Sequence, residues 1–195
     1  MKALFFLLPL IISLSCGNSF ASTADAENFL IKSVGEIMEA AKKSSNTTEL
    51  TFAVRPILVR TISFDAMTRR AVGPGWKQFD DTEQKETIGF FTTLIIRNYS
   101  SKFTPGELPD IEYKAAAETA PGRVEVATAT LYQGSRYEIV YRLEQVDGKG
   151  WRVTDVVIEG VSMIANYRGQ LDAQFKSGGA GAVLGTLIKS INSLK

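Results

Sequence analysis

Histidine is absent from the chain, and cysteine occurs once, at Cys16. Without imidazole there is no Ser-His or Cys-His catalysis. Zinc sites built on imidazole or paired thiolates are excluded as well. A single cysteine cannot form an internal disulfide, so packing must hold the fold. No phosphate-binding Walker pattern, dinucleotide glycine fingerprint or nucleophile elbow occurs. Any chemistry would fall to carboxylates, Lys, Tyr or Ser, and no cofactor or metal is expected. There is no surplus charge of either sign, with 22 Lys and Arg against 21 Asp and Glu. The basic footprint of a nucleic-acid-binding protein is therefore missing. Beyond residue 21 no apolar run approaches the roughly 20 residues that a membrane-spanning helix needs.

The first residues read as an address. Lys2 precedes an apolar run from Leu4 to Leu14, broken only by Pro9 and Ser13. Residues 16–21 are small and polar except Phe20, with Ser19 and Ala21 at positions −3 and −1. This layout predicts a secretory signal peptide over 1–21, cleaved after Ala21. The rival is lipidation at Cys16, but Ser13 stands three residues before it, where an apolar residue is wanted. The remaining chain, 22–195, has balanced charge and reads as one domain.

Helical spacing dominates the first half. Leu30, Val34, Ile37, Met38 and Ala41 make one apolar face within 24–43. Ser44, Ser45 and Asn46 break it. Residues 50–59 predict a short helix ended or kinked at Pro56. Asp65 is a candidate cap for a helix over 66–72, which Gly73 and Pro74 stop. Asp80, with Glu83 three residues on, has the capping-box pattern and opens a helix reaching about Lys102. Its apolar stripe is Ile88, Phe91, Ile95 and Tyr99, widened by Phe90 and Leu94.

The period then changes to two. Val124–Thr130 and Tyr137–Leu143 alternate, separated by a turn at Gln133-Gly134-Ser135. Asp147 to Gly150 is a second turn before the β-branched run Trp151–Ile158, and Ile111–Ala117 is a weaker strand ahead of them. Four strands in an antiparallel meander, with one wet face, are expected. Two helices close the chain, 161–175 and one carrying Val183 to Leu194, parted by Gly178 and Gly179. The fold class is α+β.

Each conspicuous group has a plain reading. Asp80-Asp81 is a helix cap rather than a catalytic carboxylate pair. Gly178 to Gly181 lacks the Lys-Ser/Thr ending and the preceding strand of a phosphate loop. Tyr137, Ile139, Tyr141 and Leu143 face one way, and the helix bearing Phe91, Leu94 and Ile95 can cover them. Periodicity alone does not separate a packed core there from a hollow one.

The stretch Trp151-Arg152-Val153-Thr154-Asp155-Val156-Val157-Ile158-Glu159-Gly160-Val161-Ser162, continued by Asn166-Tyr167-Arg168-Gly169-Gln170, resembles the MlaC family of periplasmic phospholipid-binding proteins, also called toluene-tolerance proteins. Phe64-Asp65, Gly73 to Trp76, and Phe90 to Tyr99 are similar to further elements of that family. The resemblance implies a twisted antiparallel sheet, similar to nuclear transport factor 2-like folds, wrapped by helices around a lipid cavity. It also implies a soluble shuttle for phospholipid between an outer-membrane lipoprotein and an inner-membrane transporter with an MCE-domain ring.

With that fold in mind, the expected cavity lining is Ile88, Phe91, Ile95, Tyr137, Ile139, Tyr141, Val153 and Val156, closed by Val161 and Ile164. Arg168 falls in the apolar stripe of its helix. It is read as an ion-pair partner of Asp155 or Glu159, or else as a contact to a headgroup or partner. Three alternatives stay open: a hopanoid or sterol-like ligand, an enzyme on the same fold using Asp or Tyr, and a scaffold with a filled core.

Overall fold

The computed structural model describes residues 22–194. The expected signal peptide, with Cys16, lies outside the described residues. Four helices come first: α1 (Thr23–Lys43), α2 (Thr47–Thr61), α3 (Phe64–Val72) and, after a 3-10 turn over Gly73–Gln78, α4 (Asp81–Ser100). Then come β1 (Asp110–Ala120), β2 (Arg123–Tyr132), β3 (Ser135–Val146), β4 (Gly150–Ile158), the two-residue β5 (Val161–Ser162), and α5 (Met163–Ser193).

Short polar side chains set the helix starts. Ser22 and Asp25 form a reciprocal box at α1, and Asn46 accepts the Glu49 N–H at α2. At α4 the Asp80 carboxylate accepts the N–H groups of Thr82 and Glu83, each at 2.8 Å, while Glu83 reaches back to the Asp80 N–H at 2.9 Å. These bonds satisfy donors that the first turn leaves free.

Two sequence expectations about helices need correction. Pro56 does not end α2; the helix runs on to Thr61. The carbonyl that loses its donor belongs to Phe52, and both residues are exposed, so water can serve it. Asp65 does not cap α3. It sits inside the first turn and pairs with Arg69 at 3.0 Å, while the flanking Ser63 makes no side-chain cap. The stop at Gly73 is realised with φ at 76°, a left-handed value that suits glycine. The two expected C-terminal helices form α5, which breaks at Gly178 and Gly179.

The sheet is an antiparallel meander in the order β1-β2-β3-β4-β5. Its fifth strand was not expected: Glu159 and Gly160 turn the chain with φ of 49° and 76°, and Val161-Ser162 pairs back onto Val157-Ile158. The inner face carries Val126, Tyr141 and Val156 in register across three strands. The outer face is wet, with ion pairs Lys114–Glu138 (2.5 Å), Arg136–Glu112 (3.2 Å) and Arg142–Glu125 (2.9 Å). Such exposed pairs add little stability each, about 0–1 kcal/mol.

Two filled cores flank the inner face. One joins α3, the 3-10 turn, α4 and α5 around Met67, Trp76, Phe91, Ile96, Leu171 and Leu187. The other packs Ala26 and Leu30 of α1 on Val124, Val126, Leu143, Trp151 and Val153 of the sheet.

Candidate binding cavity

Between these cores the helices stand off the sheet and leave a hollow. The stripe of α1 supplies Val34, Ile37, Met38 and Ala41, and α2 supplies Leu50, Val54 and Leu58. The end of α4 contributes Ile95, Ile96, Tyr99 and Ser100. The sheet closes the other side with Ile111, Ile139, Tyr141, Val156 and Ile158, and Met163 begins α5 there. Phe103, Glu107, Leu108 and Pro109, on the loop from α4 to β1, complete the wall. Phe103 is 41% exposed and marks the solvent side.

The cavity volume is about 260 Å³. One water needs only about 10–15 Å³ by that measure. Among the described residues Glu107 is the one charged residue in the lining. Its carboxylate accepts from the Gln133 amide at 2.8 Å, and Gln133 also donates to the Thr104 hydroxyl at 3.0 Å. The Tyr132 hydroxyl accepts the Thr104 N–H at 2.7 Å, so the loop is tied to the β2–β3 hairpin. Burial raises the pKa of Tyr99, with nearby Tyr167 and Asp155 adding to it. Burial, and then Tyr113, pushes the Tyr141 phenol up to about 12. Among the described residues the wall is apolar apart from Glu107, Ser100 and the two phenols, a lining that suits hydrocarbon. Among the described residues no cluster of potential metal ligands occurs.

The structure divides the residues expected to line this hollow. Ile95, Ile139, Tyr141 and Val156 line it. Phe91 and Ile164 are instead buried in the filled core between α4 and α5, where Phe91 meets Tyr167 edge-on at 5.2 Å. Ile88 packs against that same core. Val153 lies under α1 in the other core, and its carbonyl accepts the Ser63 N–H at 2.9 Å. Tyr137, the third residue of β3 and two ahead of Ile139 on the same face, is 38% exposed. Val161 is 62% exposed on the short β5 and is not among the residues that line the hollow.

Arg168 also differs from expectation. Among the described residues neither Asp155 nor Glu159 pairs with it. Asp155 binds Arg142 at 3.1 Å, and Glu159 accepts the Glu138 N–H at 2.5 Å. The Arg168 guanidinium lies instead over Gly73, where an added Cβ would sit 3.2 Å from Nε. That places a cation at the C-terminal end of α3, a favourable site.

The α1 and α2 walls were missed by sequence reasoning as cavity residues. The signal was present in α1, whose stripe runs one turn further than its core contact requires. In α2 the mixed pattern around Pro56 hid it.

A family model described as MlaC protein matches residues 30–189. No match was found among curated proteins. Among solved structures, the phospholipid-binding protein from Ralstonia solanacearum, determined in complex with a phospholipid, has a TM-score of 0.79 to this chain at 23% identity. The match covers 87% of this chain and 98% of that one. At this identity the likeness establishes the shared fold.

Proposed function

Because the chain belongs to the MlaC family, we propose that it binds a phospholipid by its acyl chains and carries it between the outer and inner membranes as the soluble component of an MCE-type ABC transport system. The observation that carries this reading is the apolar hollow between α1, α2, α4 and the sheet. The ligand of the Ralstonia protein, which shares the fold, supports it.

The energetics fit a carrier. Each methylene taken from water is worth about 0.8 kcal/mol. A diacyl lipid therefore does not cross water unaided at a useful rate, whereas a protein that hides the chains and leaves the headgroup wet removes most of that cost. The task needs no bond chemistry, metal or imidazole. Binding rather than catalysis is the reading, and the partners it implies are an inner-membrane MCE-domain complex and an outer-membrane lipoprotein complex. Export through the signal peptide at 1–21 would place the protein in the periplasm.

The test is transfer. Purified protein loaded with fluorescent phospholipid is mixed with acceptor vesicles bearing the MCE-domain complex or bare ones. Faster transfer to the former supports the proposal; equal, slow transfer to both contradicts the shuttle role.

A further inference from the structure

One polar group stands in the sheet wall of the hollow without a use. Tyr141 is in mid-β3, in register with Val126 of β2 and Val156 of β4, and it lines the cavity. Tyr141 is only partly buried because it borders the hollow, and among the described residues its hydroxyl has no protein hydrogen-bond partner. Other inner-face hydroxyls divide into two kinds. Thr128 donates to the Ile139 carbonyl at 3.2 Å, whereas the buried Thr130 Oγ1 has no partner. An unpaired buried hydroxyl costs about as much as a lost hydrogen bond. Acyl chains that fill the hollow exclude water from the Tyr141 hydroxyl and impose that cost on it, whereas phenylalanine would fill the same wall without it. A tyrosine there makes sense when the occupant brings an acceptor.

The surroundings define the acceptor. Among the described residues no Lys or Arg lines the hollow, and the one charged lining residue is Glu107. A phosphate has no counter-charge beside Tyr141, and dehydrating it would be costly. A neutral carbonyl carries no such penalty, and the ester carbonyls are the strong neutral acceptors adjoining the acyl chains of a phospholipid.

We propose that Tyr141 donates a hydrogen bond to an ester carbonyl of the bound lipid and so selects ester-linked over ether-linked chains. The inference rests on the phospholipid-carrier reading and adds a specificity-determining residue to it.

Delipidated full-length mature protein is offered vesicles holding equal amounts of diacyl and dialkyl phosphatidylglycerol of matched chain length, and the bound lipid is read by native mass spectrometry. The wild type should enrich the diacyl form roughly 2- to 12-fold, the range one neutral hydrogen bond spans. Tyr141→Phe should load both forms with a ratio near one. Equal loading by the wild type overturns the role of Tyr141 and leaves the carrier reading intact. Unchanged enrichment in Tyr141→Phe also overturns it. Loading of neither lipid by the wild type overturns both. If Tyr141→Phe does not fold, the wild type alone decides with a lipid carrying 13C at its ester carbonyls. A carbonyl stretch lowered on binding supports the hydrogen bond, and an unshifted one overturns it.

Discussion

The Ser162 hydroxyl donates to the Asp155 carboxylate at 2.6 Å. The same carboxylate accepts the Ile164 N–H at 3.2 Å and an Arg142 N–H at 3.1 Å. One buried group thus joins β3, β4 and the first turn of α5, where an anion is favoured by the helix dipole. Its neighbours in sequence or space, Val156 and Met163, line the hollow.

Asp155→Ala leaves the Ser162 and Ile164 donors and the Arg142 cation short of their acceptor. The expected loss is about 2–3 kcal/mol of stability, in the range of hydrogen bonds to a charged group. Asp155→Asn keeps an acceptor for Ser162 and should lose less. Urea midpoints at constant slope measure both, and a loss under about 0.5 kcal/mol for Asp155→Ala would contradict this role.

Gly75 is fixed by a ring. A Cβ there would lie 2.4–2.6 Å from three ring atoms of Phe175, which also stacks on Phe79 at 5.7 Å. Gly75→Ala should destabilise by about 1–3 kcal/mol through overpacking. In a Phe175→Ala background the added cost of Gly75→Ala should shrink to a few tenths, because the obstacle is gone. Thermal melts of the four proteins test the coupling.

The buried phenol of Tyr141 gives stability an alkaline limit. With its pKa pushed up to about 12 in the folded chain and near 10 when unfolded, the native state holds more protons between those values. Stability is then fully present below pH 10 and falls as pH rises toward 12, by about 2–3 kcal/mol. Tyr99, Tyr113 and Tyr167 are also raised by burial and act in the same direction. Denaturation between pH 9 and 11.5 should show a shallower decline for Tyr141→Phe than for the wild type; parallel curves would contradict the assignment.

Two tryptophan substitutions separate the hollow from its surroundings. Ile139→Trp fills the wall and should lower bound lipid about tenfold, equivalent to about 1.4 kcal/mol. Val161→Trp, on an exposed strand outside it, should leave lipid load unchanged. Equal effects would place the ligand elsewhere.

The α+β class, the α4 cap and the strands β2 to β4 were legible because each is local: caps are set within four residues and strands by alternation. The division between filled core and hollow was not. Phe91 and Ile95 share one stripe and one buried cluster, but only Ile95 of the two also reaches the hollow. Val153 and Val156 share a face three residues apart because Thr154 is an extra residue, opposite the step from Arg142 to Leu143; simple alternation would have separated them. Tyr137 and Ile139 read alike in β3, yet only Ile139 lines the hollow. Which helix covers which residue is a tertiary fact that a period does not encode.

The most direct measurement is native mass spectrometry of the mature protein purified from its own exporting cell, followed by extraction and identification of whatever is bound. Close to one phospholipid per chain is expected, with its loss in Ile139→Trp. Protein that arrives empty and takes up no phospholipid from vesicles would contradict the account, and a bound hopanoid in place of phospholipid would contradict its choice of cargo.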